Sequence, residues 1–404
     1  MFRLSIIVFL SLSVFVSSHF AKDDSVLFGV NVPLSGSYKD QGEDELRAYK
    51  LAIKTLNDNG GVLGKRVVYT VKDTETSAKV AKKNAEDLIK EGAVMLTGGS
   101  SSAVAIAQGK VCEKNKKIFM AALTHSNATT GKDAQRHSFR WYNNGHQTAK
   151  AMAAGLIKKY GKDAKYAFLY ADYTWGKTVM ESMKNVVEAS GASTVLVRPT
   201  KLGKKSFVPD LLKVKRSKPD VLVLVHFGRD MIFALKQANR MKMKKKMGIV
   251  VPLMELHMAH GVGAEVMQGV LTSFCWYHGL SEKFEGSKKF VDAFEKEYSK
   301  KPGNAAAAAW TAIFQYANAV ERAKSFDHKA VILALEGFKS KVLVGEEYYR
   351  SWDHQGIHPT YVGEGKTPEE SKNEWDLFNI ISMSEGEDVA RTREENPVQL
   401  QKLD

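Results

Sequence analysis

Two short segments of the chain carry the side chains best suited to hold a small solute. Residues 98–102 read Gly-Gly-Ser-Ser-Ser after a short apolar run, and Leu123 and His125 lie at the end of the next such run. Glycines let a backbone approach a ligand closely, while serine hydroxyls and the free N–H groups of a helix start can bind a carboxylate without a charged side chain. Helix capping by the serines is the alternative. These residue types predict a binding turn for a small anion.

Three other patterns suggest chemistry that the sequence does not complete. Residues 171–178 fit A-x-x-x-x-G-K-T, but a phosphate-binding loop begins with glycine, and Asp172 would repel phosphate. His257 and His260 could share a helix face, yet they lack the Glu of a zinc-protease motif and a cysteine cluster. Neither a G-x-S-x-G elbow nor a catalytic cysteine signature occurs. We therefore expect no metal, no cofactor, no catalytic residue and no enzyme activity.

The elements that must position these residues alternate between short apolar strands and helices. The alternation runs from 26 to 123 and starts again at 147. It favours parallel pairing in open α/β sheets, where ligands bind beyond the carboxyl ends of the strands. A chain of 404 residues is also about two to four times as long as a usual domain. We therefore predict an α/β protein with two wound sheets.

Five stretches, in their order and spacing, match a known family: FGVNVPLSGSYKDQG, LAIKTLNDNGGVLGKRV, GGSSSAVAIA, FRWYNNGHQTAKAMA and LYADYTWGKTVMESMKNVVEASGA. Together they resemble the type I periplasmic solute-binding proteins of ABC transporters, and more closely the leucine/isoleucine/valine-binding branch. The resemblance implies two Rossmann-like lobes joined by three crossovers, with the ligand in the cleft between them. It places one lobe at 22–142 plus 278–346 and the other at 143–277 plus 347–385, and we expect a mobile tail at 386–404.

The resemblance also implies which side chains contact the ligand. They are Gln41, Ser101, Ser102, Leu123, His125, Trp175, Phe227, Glu255 and Trp276. Ser101 and Ser102 match the serines that hold an α-carboxylate in the family. Glu255 matches, within one or two positions, the glutamate that binds the ammonium group. His125 replaces a threonine that grips the zwitterion, so this chain departs from the family at that position.

The function implied is capture of an amino acid or related small solute and its delivery to ABC permease subunits. His125 and the three aromatic positions leave an amide, urea-type or aromatic carboxylate solute as an alternative. An exported α/β enzyme and a receptor sensor domain are other classes. An enzyme needs a nucleophile and base or a metal set, and a receptor needs a membrane span. The sequence shows neither, and we expect a soluble monomer.

The first 21 residues have the pattern of a signal peptide. Arg3 precedes an apolar run at 4–16, and small residues follow up to Ala21. The run is shorter than the roughly 20 residues that cross a bilayer. No cysteine lies near the cleavage region, so we predict no lipid anchor. We expect a cleaved, soluble, periplasmic protein.

The positive charge is concentrated in one segment. The chain carries a net charge of +14, and residues 198–246 hold 15 Lys and Arg against three Asp. The rest is nearly balanced, which argues against a nucleic-acid partner. We predict a basic face on the outer helices of the second lobe, with Lys242, Lys244, Lys245 and Lys246, that serves solubility or the approach to the permease and an anionic membrane. A solvated helix surface without further function is the alternative.

The chain has two cysteines, Cys112 and Cys275. Both lie in apolar runs, where a free cysteine behaves as a small hydrophobic residue. We predict two free buried thiols, with a disulfide between them as the alternative.

Overall fold

The computed structural model describes residues 24–403, so the predicted signal peptide at 1–21 lies outside the described residues. The strands are β1 (Ser25–Val32), β2 (Arg66–Asp73), β3 (Met95–Gly98), β4 (Ile118–Ala121), β5 (Ser138–Arg140), β6 (Lys165–Ala171), β7 (Ser193–Thr200), β8 (Val221–Val225), β9 (Gly248–Val251), β10 (Leu271–Phe274), β11 (Tyr348–Tyr349), β12 (Gly356–Ile357), β13 (Thr360–Gly365) and β14 (Phe378–Ser384). The α-helices are α1 (Lys39–Asp58), α2 (Ala78–Lys90), α3 (Ser102–Lys114), α4 (Gly145–Tyr160), α5 (Thr174–Ala189), α6 (Val208–Ser217), α7 (Gly228–Arg240), α8 (Leu256–Val262), α9 (Ala264–Met267), α10 (Glu285–Tyr298), α11 (Asn304–Ala323), α12 (His328–Leu335) and α13 (Gly386–Val389).

Two sheets carry the fold. The first has the order β2-β1-β3-β4-β5 and is parallel throughout. The second has the order β14-β13-β10-β9-β8-β6-β7, in which the strands from β6 to β10 pair in parallel. Strand β13 pairs antiparallel with β10 and with β14, unlike the parallel pairing expected from the sequence. No helix lies between β13 and β14, and a parallel pair would need such a crossover.

The chain crosses between the sheets three times: after β5, after β10 and before β13. Helices α10 and α11 return to the first sheet and pack on α1. We call the five-stranded sheet with its helices the first lobe, and the seven-stranded sheet with its helices the second lobe. The residue boundaries of the lobes remain as proposed from the sequence.

The third crossing contains the polar and aromatic stretch 349–361, whose side chains hold the crossings together. Gln355 accepts a hydrogen bond from Arg140 Nε at 2.9 Å, and His358 Nε2 lies 2.8 Å from the Trp141 carbonyl oxygen. These contacts are buried. The stretch therefore has a packing role at the crossing between the lobes.

The C-terminal segment differs from the mobile tail expected at 386–404. Val389 and Ala390 are buried, and Arg391 donates to the Asn127 carbonyl at 3.1 Å. Asn396 donates to the Thr130 carbonyl at 2.8 Å. Part of the segment therefore docks on the loop that follows β4, because its amide and guanidinium groups satisfy carbonyl oxygens there.

The two cysteines are free and buried, as predicted. Burial raises the pKa of the Cys112 thiol and of the Cys275 thiol above the ordinary value. No described helix is long and apolar enough to span a membrane.

The basic segment is mostly exposed, but one of its four named lysines has a structural role. Lys242, Lys245 and Lys246 are exposed. Lys244 is half-buried, and its ammonium donates to the carbonyl oxygens of Glu265 and Val266 at 3.2 and 3.0 Å. These carbonyls lie in α9, where a cation satisfies groups at the helix end. Our assignment of Lys244 to the free basic face is therefore wrong.

We expect Lys244→Ala to lower the free energy of unfolding by about 1 to 2 kcal/mol, because it leaves carbonyl oxygens without a donor. Lys245→Ala, on the exposed neighbour, is the matched control and should stay within about 0.5 kcal/mol of the wild type. Urea unfolding measures both. Equal values for the two variants would contradict the structural role of Lys244.

Candidate ligand-binding site

A small cavity with about 10 Å³ of free volume lies between the two lobes. It is placed at the carboxyl ends of β3 and β4 from the first lobe and of β6, β8 and β9 from the second. Its lining residues are Ser100, Ser101, Ser102, Leu123, Thr124, His125, Tyr173, Trp175, Phe227 and Leu253. None of them is an acid, a lysine or an arginine, so the wall offers hydrogen bonds and apolar surface. A free volume of about 10 Å³ has room for roughly one water molecule, so a solute can enter only when the two lobes move apart.

The serine turn at 98–102 forms the polar end of the cavity. Gly98 and Gly99 have φ angles of 137° and 139°, and a Cβ on Gly98 would lie 2.1 Å from the Asn31 carbonyl oxygen. Glycine is therefore required for the tight turn after β3. Ser101 is the N-cap of α3, but its hydroxyl makes no capping hydrogen bond. The hydroxyl and the first N–H groups of α3 are thus available to an anion.

His125 lines the cavity, but both of its ring nitrogens have partners in the protein. The Trp175 indole N–H donates to Nδ1 at 3.0 Å, and Nε2 lies 2.8 Å from Thr148 Oγ1. Because an indole N–H only donates, Nδ1 is unprotonated and Nε2 carries the proton. Burial, assisted by the charge of Arg140, lowers the pKa of His125 to about 3. His125 is therefore a neutral residue that positions Trp175.

Aromatic side chains of the second lobe form the opposite wall. The rings of Trp175 and Phe227 meet edge to face with centroids 6.0 Å apart. The Tyr173 hydroxyl lies 2.8 Å from the Tyr38 hydroxyl of the first lobe, and Tyr38 also meets Phe227 edge-on at 5.1 Å. We call these four residues the ring cluster. It closes the cavity by joining the two lobes.

A buried acidic cluster of Asp44, Glu45 and Glu255 lies behind the serine turn. Glu45 accepts hydrogen bonds from the Ser100 hydroxyl and from the Leu123 backbone N–H. Both donors belong to the cavity wall, so Glu45 positions them. Burial, together with the neighbouring carboxylates, raises the pKa of Glu45 well above its ordinary value.

Asp44 and His257 form an ion pair between the lobes. His257 Nε2, on α8 of the second lobe, lies 3.0 Å from Asp44 Oδ1, on α1 of the first. Asp44 also accepts the Gly303 N–H at 3.0 Å and lies 3.6 Å from Arg47. Burial alone would raise the pKa of Asp44, but His257, Arg47 and Gly303 lower it. Burial would lower the pKa of His257, but Asp44 raises it above its ordinary value.

Glu255, expected to bind an ammonium group, has protein partners here. It accepts the Tyr142 hydroxyl at 2.7 Å and the Ala305 N–H at 3.2 Å. Burial raises the pKa of Glu255 to about 8. The structure thus places Glu255 in the acidic cluster, outside the set of residues that line the cavity.

Comparison with known proteins assigns this two-lobed architecture to a family. The family described as "Periplasmic binding protein" matches residues 25–372. The chain belongs to the periplasmic binding protein family. Members of this family are the solute-binding components of ABC transporters.

Named proteins that are similar to this chain support the same family assignment. The Leu/Ile/Val-binding protein homolog 8 of Brucella abortus (strain 2308) is 27% identical over 292 residues, which cover 69% of this chain and 71% of that protein. A periplasmic binding protein from Burkholderia mallei is 27% identical with a TM-score of 0.87, covering 94% of this chain and 100% of that one. The amino acid ABC transporter substrate-binding protein from Pseudomonas fluorescens Pf-5 is 25% identical with a TM-score of 0.83, covering 89% and 96%. The predicted two-lobed α/β fold is confirmed.

Six of the nine residues that the family resemblance implied line the cavity: Ser101, Ser102, Leu123, His125, Trp175 and Phe227. Gln41 is buried in the first turn of α1, and its side-chain oxygen has no hydrogen-bond partner. Trp276 is buried against residues of the first lobe, where its indole N–H donates to Ser287 at 2.8 Å and its ring packs on Phe290. The chain is already crossing toward α10 at Trp276, so the structure does not bring this ring to the cavity.

Sequence reasoning missed four lining residues, Ser100, Thr124, Tyr173 and Leu253, and two members of the acidic cluster, Asp44 and Glu45. Tyr173 is the N-cap of α5, two residues before Trp175, and its position after a parallel strand could have identified it. Asp44 and Glu45 offered no such signal, because their partners His257 and Ser100 lie far away along the chain.

The two rival motifs have structural roles in this periplasmic binding protein. Lys177 of the A-x-x-x-x-G-K-T stretch pairs with Asp172 at 3.0 Å. His260 stacks on Trp375 with centroids 4.0 Å apart, while His257 pairs with Asp44. Among residues 24–403, no group of three or more His, Cys, Asp or Glu could hold a metal ion.

Proposed function

We propose that this protein captures a small carboxylate-bearing solute, an amino acid or a related acid, in the periplasm and delivers it to the permease subunits of an ABC importer. The observation that carries the proposal is the cavity between the lobes, with the serine turn at one end and the ring cluster at the other. Membership of a family of solute-binding components supports it. So do the names of the Leu/Ile/Val-binding relative and of the amino acid transporter component.

Capture follows from the way in which the two lobes share the site. The serine turn comes from the first lobe, while Trp175 and Phe227 come from the second, so a solute that contacts both walls favours the closed arrangement. The Trp175–His125 and Tyr38–Tyr173 hydrogen bonds also cross from one lobe to the other. These contacts exist only when the lobes are closed, which gives the permease a distinct form to recognise.

We further propose that the solute leaves chemically unchanged. A hydrolase would need a base to activate one of the serines in the cavity. His125 is the histidine in the wall, and its two nitrogens are occupied by Trp175 and Thr148. Its lowered pKa also makes it a weak base. The wall is therefore suited to binding.

Calorimetry against a panel of amino acids and small carboxylates tests the function. We expect at least one member to bind with a Kd below about 0.1 mM and to be recovered intact by nuclear magnetic resonance. The protein should first be unfolded, dialysed and refolded so that a copurified solute does not block the cavity. No binding at about millimolar concentration, or turnover of a bound solute, would contradict the proposal.

A further inference from the structure

The cavity has an asymmetric wall that narrows the class of solute. Hydroxyl groups of Ser100, Ser101, Ser102 and Thr124 lie on the side of the first lobe. The hydroxyls of Ser100, Ser102 and Thr124 have protein partners, which leaves the Ser101 hydroxyl and the start of α3 for the solute. On the side of the second lobe, Tyr173, Trp175 and Phe227 supply rings, while Leu253 is the aliphatic contribution. The solute should therefore have a small anionic head and a body that suits ring surfaces.

Hydrogen bonds to protein groups hold the rings of Trp175 and Tyr173 in fixed orientations. Thr148 fixes His125, and His125 accepts the Trp175 indole N–H, so Trp175 cannot rotate without losing a buried hydrogen bond. Tyr173 is held by the Tyr38 hydroxyl, and its ring lies 6.0 Å from that of Trp175 at an angle of 37°. Fixed ring faces and edges suit a flat body better than a branched aliphatic one.

The cavity wall has no charged side chain that would compete with apolar contacts to the solute. The lining residues include no acid or cation, and His125 is neutral because its Nδ1 accepts the Trp175 indole N–H. The nearest carboxylate, Glu45, is fully buried behind Ser100 and Leu123, which donate to it. The body of the solute therefore meets uncharged ring surfaces.

We propose that the solute is an aromatic carboxylate, whose acid group binds the Ser101 hydroxyl and the start of α3 and whose ring contacts the rings of Trp175 and Phe227. This inference rests on the proposed function. Aromatic pairs in edge-to-face or offset geometry gain energy beyond the area that they bury. Both an aromatic amino acid and a plain aryl acid have the required chemistry.

Three matched pairs of probes test the inference by calorimetry at one pH and salt concentration. They are benzoate against cyclohexanecarboxylate, 3-phenylpropanoate against 4-methylpentanoate, and L-phenylalanine against L-leucine. We expect the tightest-binding probe to be aromatic and to bind at least tenfold more tightly than its aliphatic partner. Tighter binding by phenylpropanoate identifies a plain acid, tighter binding by phenylalanine identifies an amino acid, and either result supports the ring requirement.

Equal or tighter binding by the aliphatic partner would overturn the inference while leaving the proposed function intact. Binding of another panel solute, with none of the aromatic probes bound, would do the same. A lack of binding across the whole panel would overturn both.

Variants of the ring wall give an independent readout. Trp175→Leu and Phe227→Leu should each reduce the aromatic preference to less than about threefold, as judged by the ratio of Kd within a pair. Trp352→Leu, at a tryptophan that packs on Arg350 outside the cavity, is the matched control and should keep the full ratio. An unchanged ratio in both ring variants, with folding verified by circular dichroism, would overturn the inference.

Discussion

Replacing Ser101 with alanine is expected to weaken solute binding about tenfold to a hundredfold without destabilising the protein. The Ser101 hydroxyl makes no capping hydrogen bond and lines the cavity, so the folded protein loses no internal contact. A hydrogen bond to a charged group contributes about 1.5 to 3 kcal/mol, which corresponds to this loss of affinity. Calorimetry with the tightest-binding panel solute gives the Kd, and urea unfolding should remain within about 0.5 kcal/mol of the wild type.

Two further serines control for this result. Ser193→Ala, at the exposed start of β7, should change neither affinity nor stability. Ser102→Ala should lower both, because Ser102 Oγ accepts the Ser126 N–H at 3.1 Å and the Thr124 hydroxyl at 3.1 Å. An unchanged Kd in Ser101→Ala would show that the carboxylate does not bind at the start of α3.

Asp44→Asn is expected to have the largest effect on stability, about 3 kcal/mol at pH 6. The substitution removes the carboxylate that His257 faces at 3.0 Å and that raises the pKa of its buried imidazole. Removing one partner of a buried ion pair typically costs about 3 to 5 kcal/mol. Glu43→Gln is the control on the same helix. Its partly exposed pair with Lys39 should contribute less than about 1 kcal/mol.

The pH dependence of the Asp44–His257 pair has a defined sign. The pKa of His257 is raised, so its contribution is complete below the ordinary value of about 6.5 and is lost as the pH rises through the raised pKa. The pKa of Asp44 is lowered, so its contribution is present above about 3.8 and is lost only as the pH falls through the lowered pKa. The difference in unfolding free energy between wild type and Asp44→Asn should therefore be largest at about pH 4 to 6.5.

Urea unfolding at pH 6 and pH 9 measures this difference. We expect the difference to be smaller at pH 9 than at pH 6, because His257 loses its proton as the pH rises through its raised pKa. The wild type should also lose stability on the alkaline side because Glu255, with its pKa raised to about 8, must ionise in a buried position. A difference that is the same at both pH values would show that the charge of His257 does not stabilise the contact between the lobes.

Much of the cavity could be predicted because its residues follow parallel strands. Ser101, His125, Trp175 and Phe227 each come soon after a strand whose apolar run is visible in the sequence. Carboxyl ends of parallel strands meet at one edge of a sheet, so the strand pattern predicted where a ligand binds, whereas the family resemblance selected His125, Trp175 and Phe227. The sequence pattern did not lead us to predict helix α7, although its buried positions recur at helical spacing.

The remainder depended on contacts between distant parts of the chain. Trp276 lies two residues beyond β10, and its side chain follows the crossing into the first lobe. Asp44 is a charged residue on a helix, which sequence alone places at the surface. Only the approach of His257 and of the Gly303 N–H makes its burial favourable. Such a site depends on how the lobes meet, which no local pattern encodes.

A crystal structure of the protein grown with the tightest-binding panel solute tests the central claim most directly. We predict density for the solute in the cavity between the lobes, with a carboxylate oxygen within hydrogen-bond distance of Ser101 Oγ and of an N–H group at the start of α3. The body of the solute should contact Trp175 and Phe227. Density for the solute outside this cavity, or a carboxylate turned away from the serine turn, would contradict the account.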